Sequence, residues 1–301
     1  MARTKSFELN KHWTVRFLQD NNKAIRYAIY KKKEEVKAKT YLIFLNGRTE
    51  FIEKYNFLPE ELELQEDVHL ITLDHRGQGS SSGLPGHINS YEQYTEDLEK
   101  IIALEIKDKP YLILAHSMGS LITLFGTAQG KLKPKSIFLC SPFLGTPLST
   151  ISSILIFYAS KLIKFLQLGE ASWPKKEKER TFLTDEHTDS QEMFERSLSS
   201  PYSNTNISFA WIAASFSAIK FVHKKYQFNQ LPETIECIQA TKDEVVCNNT
   251  FLKWVINMNR YHPKSQVNLH FLKTKHEVLL AKEDTYNKAI KIIKLWLSKH
   301  I

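Results

Sequence analysis

One serine in this sequence stands where a nucleophile is expected. The segment Ala115-His116-Ser117-Met118-Gly119-Ser120 follows an apolar run, Tyr111–Leu114, and opens a helical pattern that ends near Gly130. A serine on a sharp strand-to-helix turn has its Oγ lifted above the sheet edge, with helix-start amides around it. Such a turn needs small neighbours, because the strand and helix backbones approach closely there. Gly119 supplies one. Ala115 holds the position where glycine is usual, so the pentapeptide departs from G-x-S-x-G by one methyl group.

A nucleophilic serine requires a base to take its proton and a group to orient that base. In the strand–turn–helix setting these follow in the chain order Ser, Asp or Glu, His, on loops after later strands. Thr234–Ala240 reads as a strand and leads into Thr241-Lys242-Asp243-Glu244-Val245-Val246. Val267–Leu272 reads as the next strand and leads into Lys273-Thr274-Lys275-His276-Glu277. Asp243 and His276 are therefore the expected acid and base; Glu244 is the rival acid, one residue further from the strand end. Taken singly, each residue has a plainer reading. Ser117 could merely cap a crossover helix, Asp243 could be a turn carboxylate, and His276 could be a surface histidine. Their joint order and placement favour a triad of Ser117, His276 and Asp243.

The tetrahedral intermediate of acyl transfer also needs donors for its oxyanion. Met118, following the nucleophile, offers one backbone N–H at the start of its helix. A second is expected from the loop Asn46-Gly47-Arg48-Thr49-Glu50, and Arg48 N–H is the candidate, although a Gly-containing strand-to-helix turn is the plainer reading. The segment Leu73-Asp74-His75-Arg76-Gly77-Gln78-Gly79-Ser80-Ser81 suggests a tight loop fixed by an Asp74–Arg76 pair. Its Gly77-x-Gly79 spacing is no dinucleotide fingerprint, since no third glycine follows at the right interval. No cofactor and no metal ion is expected.

The elements that must position these residues are legible as apolar runs. Tyr41–Leu45, Val68–Leu73, Tyr111–Ala115 and Ser136–Cys140 are unbroken and β-rich, which suits parallel strands covered on both faces. Trp13–Leu18 and Ala24–Tyr30, around Gln19-Asp20-Asn21-Asn22, predict a leading hairpin. Helical patterns span Phe51–Gln65 and Tyr91–Ile106, the latter with Ser90 as a candidate N-cap. Strand–helix alternation predicts a doubly wound, mostly parallel α/β sheet. It breaks after Ser141-Pro142 and resumes at Thr234. The expected organisation is a core of residues 1–141 and 232–301, interrupted by a helical insertion at 142–231.

Composition narrows the rest. The chain has 301 residues, with 41 Lys+Arg against 33 Asp+Glu and a formal charge of +8, which would favour an anionic surface. No zinc-finger spacing or arginine-rich tract points to nucleic acid. Three cysteines, Cys140, Cys237 and Cys247, argue against a disulfide framework. Met1–Ser6 has no apolar stretch after it, so no secretory signal is read. The apolar stretch Ile151–Leu168 is interrupted by Lys161 and Lys164, which argues against a spanning helix. It can pack on the core or offer a surface to lipid. The expected location is the cytoplasm, with peripheral contact to an anionic membrane left open, as is the oligomeric state.

Asn46-Gly47-Arg48-Thr49-Glu50, Asp74-His75-Arg76-Gly77-Gln78-Gly79-Ser80 and His116-Ser117-Met118-Gly119 resemble the monoacylglycerol lipase and lysophospholipase branch of the α/β-hydrolases. Asp243 followed by Val245-Val246, and His276-Glu277, match its acid and base loops. The Asn-Gly-Arg form is closer to bacterial-type lysophospholipases than to monoacylglycerol lipases, where a His-Gly pair is usual. The resemblance implies an α/β-hydrolase fold with Ser117, Asp243 and His276 as triad, oxyanion donors at Met118 and Arg48, and the insertion as a cap over an acyl pocket. It implies a lipid ester, lysophospholipid or monoacylglycerol, as substrate. A general carboxylesterase or thioesterase with a small substrate is the enzymatic rival, and a ligand-binding protein on a hydrolase scaffold the non-enzymatic one. An epoxide hydrolase would need a carboxylate at position 117.

Overall fold

The apolar runs become strands, and their alternation sets two faces. The computed structural model describes residues 7–20, 23–174, 180–202, 206–224, 230–262 and 264–301. Met1–Ser6 and the turn residues Asn21 and Asn22 lie outside these. The strands are Trp13–Asp20 (β1), Lys23–Tyr30 (β2), Thr40–Leu45 (β3), Val68–Leu73 (β4), Tyr111–His116 (β5), Ser136–Cys140 (β6), Thr234–Ala240 (β7) and Gln266–Leu272 (β8). They form one sheet in the order β1-β2-β4-β3-β5-β6-β7-β8. The β1–β2 and β2–β4 pairs are antiparallel and the other pairs parallel. The expected doubly wound sheet with its leading hairpin is therefore the fold.

In β3, β4, β5 and β6 every residue is buried, as expected for parallel strands with helices on both faces. Successive side chains point to opposite sides, so Ile43 and Leu45 join one apolar cluster while Leu42 and Phe44 join the other. The helices are Leu58–Glu61 (α1), Glu92–Ile101 (α2), Met118–Ala128 (α3), Thr150–Phe165 (α4), Gln191–Leu198 (α5), Phe209–Val222 (α6), Asn248–Tyr261 (α7) and Glu283–His300 (α8). Three of them, α4 to α6, lie between β6 and β7.

Three expectations are corrected. The pattern Phe51–Gln65 is not one helix: it breaks into a 3-10 turn at Ile52–Tyr55 and the short α1. Pro59 has no N–H to give the Tyr55 carbonyl, so a continuous helix would lose a bond there. The Asp74–Arg76 pair does not form either. Asp74 accepts from Arg26 at 3.1 Å and from the N–H groups of Ile52 and Ser80, whereas Arg76 forks onto Asp97. Finally, α2 starts at Glu92 with Tyr91 as N-cap; Ser90 Oγ instead accepts the Glu92 N–H at 3.1 Å from just outside the cap.

The helix α4 packs on α6 yet leaves most of its apolar surface bare. Ile151 is 73% exposed and Phe165 82%, with Leu155, Tyr158 and Leu162 also exposed. Among the described residues no helix is long and apolar enough to cross a membrane.

Candidate active site

Parallel strands deliver their carboxyl ends to one edge of the sheet, and the loops leaving β3, β5, β7 and β8 carry the candidate residues. The turn from β5 into α3 is tight. Ser117 has φ 51° and ψ −113°, a conformation that costs a non-glycine residue about 1–3 kcal/mol and persists only where the surroundings impose it. Its N–H donates to the Cys140 carbonyl at 3.0 Å, and its carbonyl accepts from Ser120 and Phe143. Gly119 is required: a Cβ there would lie 2.2 Å from the Leu45 carbonyl oxygen. Ala115 is fully buried, in register between Leu45 and Leu139, and its methyl is accommodated.

The loops after β7 and β8 bring the other two residues to this serine. His276 Nε2 lies 2.9 Å from Ser117 Oγ, and His276 Nδ1 lies 2.7 Å from Asp243 Oδ2. A carboxylate only accepts, so Nδ1 carries the proton and Nε2 presents a lone pair to the Ser117 hydroxyl. Burial alone would raise the Asp243 carboxyl, but His276 and the N–H groups of Val246 and Val245 bring it below its ordinary value. Glu244, the rival acid, points to solvent. The His276 carbonyl accepts from Ser141 Oγ at 2.7 Å and from Val278 N–H at 3.0 Å, which pins the loop after β8 to the end of β6.

The loop after β3 presents its amides unequally. Gly47 N–H donates to the Glu50 carboxylate, and Thr49 N–H donates to Gln78 Oε1. Between them, Arg48 N–H has no hydrogen-bond acceptor among the described residues. Met118 is the first residue of α3, where an N–H has no carbonyl of its own helix to reach. Gly47 is small for a local reason, since a Cβ would come within 2.9 Å of Glu50 Oε2 and 3.2 Å of the His116 ring.

Beneath these residues lies an ionic cluster that sequence reading missed. Glu50 is buried and accepts from Lys54 at 2.7 Å and Tyr55 Oη at 2.8 Å. Lys54 also donates to Glu277 at 2.7 Å. Glu277 follows His276 and Glu50 holds the loop after β3, so Lys54 ties the two loops together. Burial opposes the Glu50 charge, yet Lys54, His116 and the Gly47 N–H lower its pKa to about 2. Burial pushes His116 down to about 4, so it is neutral where its ring meets that of His276, 4.9 Å away between centroids. The spacing Glu50-x-x-x-Lys54 is one helical turn, a signal legible in sequence but common on any helix surface. No group of three His, Cys, Asp or Glu that could hold a metal ion occurs among the described residues.

Residues 36–283 match the family described as serine aminopeptidase, S33. The chain belongs to that family. The S33 chain is also 28% identical over 269 residues to a probable lysophospholipase L2 of Haemophilus influenzae, an alignment covering 85% of this chain and 83% of the relative. A phospholipase of Bacillus subtilis, YtpA, is 30% identical over 107 residues, covering 35% of this chain and 40% of the relative. Among solved structures, a soluble variant of the Saccharomyces cerevisiae monoglyceride lipase, bound to a substrate analogue, superposes with a TM-score of 0.79 at 16% identity. That match covers 97% of this chain and 96% of the yeast chain. A thermostable carboxyl esterase of Bacillus coagulans reaches 0.78 at 14% identity, over 97% and 99% of the two chains. These likenesses make the S33 chain a serine hydrolase of the α/β-hydrolase fold.

Proposed function

We propose that this protein hydrolyses carboxylic esters of lipids, lysophospholipid or monoacylglycerol, with Ser117 as nucleophile. The observation that carries the reading is the unbroken line of hydrogen bonds from Asp243 through His276 to Ser117, set on a strained turn. His276 Nε2 takes the Ser117 proton as Oγ attacks the acyl carbonyl, and Asp243 holds the tautomer and stabilises the imidazolium. The free N–H groups of Met118 and Arg48 receive the oxyanion. The imidazolium then protonates the leaving alkoxide. Water, deprotonated by the same histidine, splits the acyl-enzyme into fatty acid and free serine.

The substrate class is supported by the relatives named lysophospholipase and by the exposed apolar face of α4. We further propose that residues 142–231 form a cap over the site and that α4 rests on a lipid interface, its Lys161 and Lys164 meeting anionic headgroups. A groove of about 540 Å³, lined by Tyr91, Phe125, Lys161, Lys164, Phe165 and Phe221, runs beside α4 and would suit an acyl chain.

Purified protein assayed on esters of increasing acyl length tests this reading. Activity should rise with chain length and with lipid aggregation, and Ser117→Ala should lower turnover on the order of 10⁴- to 10⁶-fold. Equal rates on short soluble esters and long-chain lipids would favour the general carboxylesterase. Full activity in Ser117→Ala would overturn the mechanism.

A further inference from the structure

The Arg48 side chain carries a charge that the proposed chemistry leaves unused. Its guanidinium lies 5.7 Å from the centre of the Trp211 ring, and Nη1 is buried without a hydrogen-bond partner among the described residues. The titratable groups acting on it are Tyr94 and Tyr91, neither of them acidic at neutral pH; burial, the larger influence, pushes the guanidinium down. Five other arginines are differently provided. Arg16 bonds Glu105, Arg26 bonds Glu53 and Asp74, Arg76 bonds Asp97, and Arg180 bonds Asp185. Arg196 donates to the Lys54 carbonyl at 3.0 Å.

An arginine cannot shed its proton at neutral pH, so the desolvated charge of Arg48 persists and calls for a counter-ion. Its planar fork of donors matches the oxygens of a phosphate. Its position is tied to the turn that carries Ser117. Trp211 stacks on Phe143 at 6.0 Å, and Phe143 N–H donates to the Ser117 carbonyl at 3.1 Å. The residue is half-buried overall, so part of its surface stays open.

We propose that the Arg48 guanidinium binds the phosphodiester of a lysophospholipid, making the enzyme selective for a phosphate-bearing lipid ester over a neutral monoacylglycerol. The inference rests on the reading of Ser117 as nucleophile and the Arg48 N–H as oxyanion donor. The spans agree: the same number of bonds separates an arginine N from its Cζ as separates the acyl carbon of a 1-acyl lysophospholipid from its phosphorus. With the oxyanion at the Arg48 amide, the phosphodiester falls within the reach of that residue's own side chain. One residue then reads both ends of the polar half of the substrate, its backbone the developing charge and its side chain the permanent one.

The test compares 1-lauroyl lysophosphatidylglycerol with 1-lauroylglycerol, both below their aggregation concentrations, in wild type, Arg48→Gln and Arg48→Lys. Loss of a charge-assisted contact should lower kcat/KM for the lysophospholipid by about 10- to 100-fold more than for the glyceride. The change should lie mainly in KM, with partial recovery in Arg48→Lys. An equal fall on both substrates would overturn the proposal and leave Arg48 a structural support of its loop. If Arg48→Gln does not fold, the wild type still decides. sn-Glycerol 3-phosphate should compete with 1-lauroylglycerol, more weakly as salt rises, where glycerol does not. Inhibition by laurate without inhibition by glycerol phosphate would assign the guanidinium to the product carboxylate and overturn the phosphodiester reading. Failure of the Ser117 reading looks different: every ester would be turned over in Ser117→Ala, whatever its headgroup.

Discussion

Every residue of α3 is buried, whereas α4, longer and also rich in Ile, Leu and Phe, buries only Ser160. The contrast comes from placement. The helix α3 crosses from β5 to β6 against the sheet, and Gly119 and Gly126 let its backbone approach Leu45 and Leu132. The helix α4 starts after the chain has left the sheet, and among the described residues α6 is the helix it packs on. An apolar helix is thus a core element or an interface according to what the topology sets against it. An exposed face of Ile151, Leu155, Tyr158, Leu162 and Phe165 is larger than a scatter of single surface apolar residues, which is why it is proposed to rest on lipid.

Leu121→Ala in α3 should cost about 2–5 kcal/mol of stability by cavity formation, read from denaturant midpoints. A loss below about 1 kcal/mol would mean that the α3 packing is loose. Next, Leu155→Asp with Phe165→Asp in α4 should weaken partition to anionic vesicles by about 10- to 150-fold for each residue that enters the lipid, as sedimentation with phosphatidylglycerol vesicles would measure. Unchanged partition would remove α4 as the lipid-contacting face.

The buried side also carries a pH signature. Glu50 is held at about 2 against an ordinary 4.5, so it contributes stability above pH 4.5 that is lost as pH falls toward 2. His116 is held at about 4 against an ordinary 6.5, which adds a second loss as pH drops through that interval. Glu50→Gln should flatten the acid limb of stability below pH 4.5 while the limb between 6.5 and 4 persists. An unchanged lower limb would mean that Glu50 does not hold its charge in the fold. The smallest effect is expected for Leu155→Ala, within about 0.5 kcal/mol of wild type in the same denaturant series.

The sheet was legible in sequence because strands buried on both faces read as unbroken apolar runs, and Tyr41–Leu45 and Val68–Leu73 match β3 and β4 to within one residue. The candidate site was legible because Ser117 follows such a run, and Asp243 and His276 each follow a stretch that reads as a strand although polar residues such as Glu236 and Asn268 interrupt it. What lay hidden depends on contacts between distant segments. Nothing local to Asp74 and Arg76 says that their partners are Arg26 and Asp97 rather than each other. Glu50, Lys54 and Glu277 likewise come together only when the loops after β3 and β8 meet. The bareness of α4 was equally invisible, since its periodicity is that of any apolar helix and its exposure depends on what fails to cover it.

The central claim is that His276 and Asp243 make Ser117 a nucleophile. Incubation with a fluorophosphonate, followed by peptide mass spectrometry, tests it most directly. A single adduct on Ser117, absent in Ser117→Ala and formed far more slowly in His276→Ala, is the predicted result. Ester hydrolysis with no adduct on Ser117, or labelling at full rate without His276, would contradict it.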